Sequence, residues 1–352
     1  MAITSLTISS PQIKLLERLC NAIAVSGDEG EVRKIVLEQV TPHADDVRVD
    51  ALGNVLVTKR GTARNRLKVL LASHMDEIGF MVVEDARDGF FRFTEVGSVD
   101  ESAAVGKRVL IGKSRIPAVI GIEPIHFLEE DDLKKKVKLD QLRFDVGAEG
   151  AEIHVGDFAT YATRFRRSGN AIFAKAIDDR IGVATLIELL KHAPNNIDLL
   201  LAFTVQEEVG LRGAGVAAHA LAPDIAIAVD STPARDLPNP KGENVTYNSK
   251  LGLGPAIYVA NSSMIDDARL VRHFEGTAQK ARIPYQIRQP GGGGTDAGSM
   301  HQQLEGIPSL SISVPGRYAH TPIGHCRVDD WQNTLRLLHA GLSGITRAVL
   351  KR

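Results

Sequence analysis

Lys68-Val69-Leu70-Leu71-Ala72-Ser73-His74-Met75-Asp76-Glu77 runs from a short apolar stretch straight into a cluster of polar, chemistry-bearing residues. An apolar run of this length reads as a buried strand, too short for a helix that must hide one face. Two more such runs, residues 199–205 and 225–229, follow helical patterns, of which residues 181–192 are the clearest. Upstream, Ile13, Leu15, Leu16 and Leu19, then Val32, Ile35, Val36 and Val40, recur at three- and four-residue steps, as on amphipathic helices. Pro11 suits a first helical turn, and Ser26 or Asp28 is the candidate N-cap of the second helix. Residues 47–57 alternate around Gly53-Asn54, a hairpin signal. Buried strands alternating with helices define an α/β protein.

The stretch from Glu77 to Arg167 departs from this rhythm. It holds short Val/Ile/Phe segments (residues 90–93, 108–111, 118–122 and 158–162) separated by glycines, with almost no helical periodicity. A length of 352 residues suggests about two domains. The reading is therefore a mixed-sheet α/β/α domain built from residues 1–76 and 168–352, with a small all-β, barrel-like domain inserted at 77–167. The charged run 129–142, including Lys134-Lys135-Lys136, reads as a solvated surface segment.

Composition narrows the function. With 43% hydrophobic and 24% charged residues the chain can bury a core. Forty-two Lys+Arg against forty-three Asp+Glu give a net charge of −1, so no global attraction draws it to nucleic acid or to an anionic membrane. Two cysteines, Cys20 and Cys326, argue against a disulfide framework and fit a reducing cytoplasm. The first ten residues lack a basic start followed by an apolar core, and no apolar run approaches a membrane span; neither a secretion signal nor a transmembrane helix is expected.

The chemistry lies where strands end. His74 and Asp76, two apart beyond the first buried strand, can serve as a metal ligand and its orienting carboxylate, although such a pair is more often structural. Asp178-Asp179 precedes the helix near Ile181, where one carboxylate can cap the helix while the other bridges two cations; Gly182 permits close packing. Glu207-Glu208 follows the strand at 199–205, and Asp230 closes the strand at 225–229, positions where open α/β sheets place their sites. His320 lies beyond a strand-like segment at 310–314 and a Pro315-Gly316 turn, with His325 as competitor. Two imidazoles with three or four carboxylates suit zinc, cobalt or manganese. The glycines 291–294 lack the Lys-Ser/Thr that a phosphate loop requires, so no nucleotide site is expected.

Six segments in this order, His74-Met75-Asp76-Glu77-Ile78-Gly79, Ala176-Ile177-Asp178-Asp179-Arg180, Gln206-Glu207-Glu208-Val209-Gly210, Val229-Asp230, Gly293-Gly294-Thr295-Asp296-Ala297-Gly298 and Arg317-Tyr318-Ala319-His320-Thr321-Pro322, span nearly the whole chain. Together they resemble the tetrahedral aminopeptidases of metallopeptidase family 42, which include glutamyl and deblocking aminopeptidases and proteins once called endoglucanases. The resemblance implies a two-metal aminopeptidase acting on short peptides. Asp178 would bridge two divalent ions, zinc foremost and cobalt or manganese as alternatives. His74 and Asp230 would complete one shell, and Glu208 and His320 the other. Glu207 would be the general base, Asp76 would orient His74, and Thr295 and Asp296 would shape the loop or contact substrate. It further implies dimers formed through the β domain, assembling into hollow dodecamers. The segments around Ser231-Thr232-Pro233 and Gly97-Ser98 depart from the usual family wording, so the preferred N-terminal residue does not carry over. Competing readings are a glycoside hydrolase using paired carboxylates and a catalytically silent scaffold. Adjacent glutamates and 5% aromatic residues fit a sugar site poorly.

Overall fold

The computed structural model describes residues 6–131, 134–147, 152–238 and 249–351. Two amphipathic helices, α1 (Ser10–Asn21) and α2 (Gly30–Val40), lead into the hairpin β1 (Asp46–Val49) and β2 (Val55–Lys59), then into β3 (Lys68–His74). Asp50 builds the hairpin turn by accepting the N–H groups of Leu52, Gly53 and Asn54. Six strands follow: β4 (Gly79–Asp85), β5 (Phe90–Val96), β6 (Arg108–Ile111), β7 (Ile116–Gly121), β8 (Arg143–Asp145) and β9 (Phe158–Tyr161), with the single-turn helix α3 (Glu101–Ala104) among them. The chain then returns to the first sheet through β10 (Arg166–Ser168) and β11 (Ala171–Ala174). The remaining elements are α4 (Ile177–Lys191), β12 (Asp198–Thr204), α5 (Arg212–Leu221), β13 (Ile225–Pro233), β14 (Ala256–Tyr258), α6 (Ala268–Ala281), β15 (Gln286–Arg288), α7 (Ala297–Met300), β16 (Ser309–Arg317), β17 (Gly324–Arg327) and α8 (Val328–Gly344).

The larger sheet runs β1-β2-β12-β3-β13-β16-β17-β11-β10, with β14 and β15 branching from β16. Its centre is parallel: β12 and β13 flank β3, and β16 follows β13. Strand alternation sends successive side chains to opposite faces. Val69 and Leu71 accordingly join one core with α1, α2, α4, α6 and α8, whereas Leu70 and Ala72 join a second core with Ala214, Ala217 and Ala218 of α5 and Met300 of α7. This two-faced burial is why residues 69–72 are uniformly apolar.

Strands β4 to β9 close a separate barrel in the order β4-β5-β8-β7-β6-β9. Its core is aromatic: Phe93 stacks on Phe144 with centroids 4.0 Å apart, and Phe80 meets both edge-on. In the charged run, Lys134 faces Glu130 and Asp131 at the surface, but Leu142 is buried and Val137 and Leu139 pack on the barrel core. The described residues of the run are thus solvated on one side and packed on the barrel on the other.

Three local expectations change. Pro315 and Gly316 are not a turn: they lie inside β16, paired with Thr232 and Pro233, and the strand carries on to Arg317. Asp230 does not close its strand, since β13 continues to Pro233. Neither Ser26 nor Asp28 caps α2, whose N-cap position is Glu29. Ser26 donates to Asp76 and Asp28 pairs with Lys113 of the barrel, partners distant in sequence.

Barrel and sheet meet at a buried ion cluster. Glu77, two residues before β4, accepts from Lys175 Nζ at 2.7 Å on both oxygens and from an Arg180 terminal nitrogen at 3.2 Å. It also accepts the Ala24 N–H at 3.1 Å and the Thr160 hydroxyl, in β9, at 2.9 Å. Lys175 donates to the Ala22 carbonyl and Arg180 to that of Met75. Burial pushes the Lys175 ammonium below its ordinary pKa, against the pull of Glu77. Replacing Glu77 by Gln leaves two buried cations without an anion, and we expect a loss of about 3–5 kcal/mol in denaturant unfolding. Removing the exposed Arg18–Glu38 pair should leave the midpoint essentially unmoved.

Candidate active site

Register explains the site. In the parallel pair β3/β12, Thr204 lies beside His74, so the segment leaving β12 emerges next to the imidazole. In β3/β13, Ala228 pairs with Ala72, which carries Asp230 alongside His74 two residues later. His74 Nε2 is 3.1 Å from Asp178 Oδ1, 3.9 Å from Asp230 Oδ1 and 4.0 Å from Glu207 Oε2. On the other side, His320 Nε2 is 3.3 Å from Glu208 Oε2 and 3.8 Å from Asp178 Oδ2. The two oxygens of Asp178 therefore face two different imidazoles.

The paired aspartates divide their work. Their shared peptide bond is cis, and both have non-helical backbone. Asp179 accepts the Gly182 N–H at 3.0 Å, as an N-cap does, and the Ser73 hydroxyl donates to it. A Cβ at position 182 would come within 2.4–2.5 Å of the Asp179 carboxylate and of Ser73 Oγ, which is why glycine stands there. Asp178 is left to face the cavity. Ligand-type atoms of His74, Asp179 and Asp230 also lie within 4.8 Å of one another, as do those of His74, Asp178 and Glu208.

Asp76 is fully buried and accepts from four directions. His74 Nδ1 lies 3.5 Å from its carboxylate and 3.1 Å from its backbone carbonyl. The better-made bonds come from the Ser26 hydroxyl at 2.5 Å and from the N–H groups of Glu207 and Glu208 at 3.1 and 3.2 Å. Asp76 thus fixes the Glu207-Glu208 backbone as well as bordering His74, and Gln206, with φ of 56°, makes the left-handed turn that aims those N–H groups inward.

His320 is oriented from the barrel side: its Nδ1 lies 2.9 Å from the Ser98 carbonyl, just beyond β5. His325 is elsewhere, stacked on Phe173 with Nδ1 against the Ile172 carbonyl. Thr295 points into the sheet, its hydroxyl on Ser311 at 2.8 Å, and Asp296 is buried beneath the site with one oxygen on Thr204. Burial lifts the Asp296 carboxyl to about 6. Sequence reading did not single out Glu77, Lys175 or Arg180, although all three stand within or beside the quoted motifs, and it passed over Tyr258 and Arg288, which line the cavity.

His74, Ser98, Asp178, Glu207, Asp230 and His320 are among the residues lining a cavity of about 570 Å³. Burial, reinforced by mutual repulsion, pushes Glu207, Glu208 and Asp230 well above the ordinary carboxylate range. Burial also opposes a charge on His74, but Glu207, Asp178 and Asp76 outweigh it and raise its pKa. Among the described residues no Lys or Arg forms an ion pair with Asp178, Glu207, Glu208 or Asp230. A site so rich in buried anions calls for cationic ligands.

A mixed α/β sheet with converging imidazoles and carboxylates at its parallel strand ends defines a hydrolase-type site. Residues 53–337 match the model of the M42 glutamyl aminopeptidase family. The chain is 33% identical to the lysyl aminopeptidase of Pyrococcus furiosus over 340 residues, covering 93% of this chain and 95% of that one. Its structure is similar to an aminopeptidase from Desulfurococcus kamchatkensis, with TM-score 0.91, 33% identity and 97% of both chains covered. It is also similar to the Pyrococcus horikoshii TET1 peptidase, described as assembling into a tetrahedron or a large octahedral shell, with TM-score 0.83, 31% identity and coverage of 95% and 100%. The chain belongs to the M42 family, and it is an aminopeptidase.

Asp76→Asn replaces one acceptor oxygen by an NH₂ that faces donors. We expect a destabilisation of about 1–3 kcal/mol by denaturant unfolding. Ser26→Ala, which removes only one of the donors to Asp76, should cost less.

Proposed function

We propose that the chain removes N-terminal residues from short peptides with two divalent cations held by His74, Asp178, Glu208, Asp230 and His320. The observation that carries this reading is the Asp178 carboxylate, whose two oxygens face His74 on one side and His320 on the other. The donor set fits the group: oxygen and imidazole ligands suit zinc, cobalt or manganese, and Asp178, Glu207, Glu208 and Asp230, with no Lys or Arg partner among the described residues, match the charge of two dications. When bound, such a pair lowers the proton affinity of a water and polarises the scissile carbonyl.

The remaining steps belong to this chain's own groups. Glu207 lies 4.0 Å from His74 on the cavity wall and is held at its backbone by Asp76. It takes the proton from the attacking water and passes it to the leaving amine. Adjacent Glu208, turned toward His320, serves as ligand, so the two glutamates divide proton transfer from metal holding. Asp76 keeps both in place, and the Ser98 carbonyl keeps His320 in place.

The carboxylates converge on the imidazoles, and Tyr258 is the one Phe, Tyr or Trp among the described residues lining the cavity, which favours peptide over sugar hydrolysis. All five proposed ligands and Glu207 line or border the cavity, which argues against a silent scaffold. We read residues 77–167 as the inserted β domain and as the dimerisation surface. The barrel's exposed Ile125, Phe127 and Val155, together with the likeness to the TET1 peptidase, support assembly to dimers and dodecamers. No helix among the described residues is long and apolar enough to cross a membrane. Buried free thiols at Cys20 and Cys326 support a cytoplasmic setting.

Metal-stripped protein should be inactive on aminoacyl-nitroanilides and regain activity with added Co²⁺, Zn²⁺ or Mn²⁺. Glu207→Gln should lower kcat by about 10²–10⁴-fold while bound metal, measured by elemental analysis, stays the same. Chelator-resistant hydrolysis, or full activity in the Glu207→Gln variant, would overturn the mechanism.

A further inference from the structure

A second cleft lies away from the catalytic cavity and shares no lining residue with it. Helix α6 buries Leu270, Phe274 and Ala278. Arg272, Gly276 and Lys280, at four-residue steps, form a neighbouring stripe along the same helix, with His273 beside it. Against Ala340 and Gly344 of α8 this stripe walls a space of about 480 Å³, a size suited to a small molecule.

The charge around this space is of one sign. Arg272, His273 and Lys280 are the titratable residues among those lining it, and no Asp or Glu joins them. Among the described residues neither Arg272 nor Lys280 forms an ion pair. The carboxylates on and beside α6 are engaged elsewhere: Asp267 holds Arg269 with both oxygens, and Glu275 accepts the Tyr285 hydroxyl at 3.1 Å. Thr277 donates its hydroxyl proton to the His273 carbonyl at 2.8 Å, and His273 Nε2 donates to the Gly341 carbonyl at 2.9 Å, which fixes the imidazole at the cleft edge. Two cationic side chains remain as donors that no described carboxylate meets.

The floor supplies a second, independent observation. Gly276 stands in the middle of α6, where glycine weakens a helix relative to alanine. A Cβ there would meet nothing within 4 Å, so packing within the described chain does not call for glycine. Bare helix surface midway between two unpaired cations lets a ligand lie against the backbone between them. A planar guanidinium fork together with a mobile ammonium suits the several oxygens of a phosphate group.

We propose that the α6–α8 cleft binds a small phosphate-bearing molecule, held by Arg272 and Lys280 over Gly276. The inference goes beyond the peptidase chemistry and does not depend on it.

Calorimetry on metal-loaded protein at constant ionic strength tests it, with inorganic phosphate, pyrophosphate and adenosine monophosphate as probes. Phosphate can also bind a metal centre, so the decisive quantity is the difference between the wild-type protein and two variants. We expect at least one probe to bind with Kd below about 1 mM, and Arg272→Gln to weaken that binding by about tenfold or more. Gly276→Leu keeps both charges but fills the floor. It should weaken binding comparably while raising the thermal midpoint of the ligand-free protein, because leucine favours the helix more than glycine does. Equal affinity for inorganic phosphate and adenosine monophosphate shows that the free anion suffices, and markedly tighter binding of the nucleotide points to a phosphorylated metabolite; both results support the site. Absence of binding by all three probes up to about 10 mM overturns it, as does unchanged affinity in either variant. Tighter binding of N-acetylated tetraglutamate than of every phosphate probe, lost in Arg272→Gln, also overturns it and makes the cleft a site for an acidic peptide.

Discussion

Two buried carboxylates one residue apart, Asp76 and Glu77, hold this structure and its site in register. The chain leaves the central sheet for the barrel at this point, and the two side chains work on different neighbours. Asp76 accepts the backbone of the Glu207-Glu208 segment, while Glu77 neutralises Lys175 and Arg180, which bracket Asp178. His74, at the end of the same strand, thus meets one acidic segment placed by each anion. Buried charges are costly unless paired and fully hydrogen-bonded, and that cost restricts the arrangements open to these loops.

The same junction ties the barrel to the chemistry. Thr160 of the barrel donates to Glu77, and the Ser98 carbonyl, just past a barrel strand, orients His320. Part of the cavity wall, at Ser98 and His320, is therefore set by an element outside the parallel sheet. A Cβ at Gly97 would come within 2.8 Å of Ile78 and 3.3 Å of Glu208, so the barrel loop also packs directly against a proposed ligand. Dimerisation through the barrel, as proposed, would place the assembly interface within a few residues of the site.

Left-handed backbone at ordinary residues gathers where the site is built. Ala176, Gln206, Tyr318 and His320 all have positive φ, and each stands within two residues of a cavity-facing side chain or is one. Such conformations cost free energy at residues with a Cβ, and the surrounding hydrogen bonds and packing hold them. The order of priorities is visible here: the carboxylates and imidazoles are placed first, and the local backbone accommodates them.

Sequence alone determined the α/β class and the interrupted rhythm that marks the barrel strands, because strand burial and helix periodicity are written in the local pattern at residues 69–72, 199–204 and 13–19. Six motifs, by residue type and order, resembled the family, and that resemblance, not the periodicity, named the residues expected to gather at the site. Only the tertiary structure decided the division of labour within them. Nothing local distinguishes Asp178 from Asp179, and the answer depends on Ser73 and Gly182 meeting Asp179, partners set by packing. Pro315-Gly316 reads as a turn, yet pairing with Thr232 and Pro233 carries the strand through it. Ser26 and Asp28 read as caps, yet Asp76 and Lys113 claim them across 50 and 85 residues. Arg288 looks like any surface arginine until β15 buries it against Tyr258, because burial depends on neighbours that only the folded chain supplies.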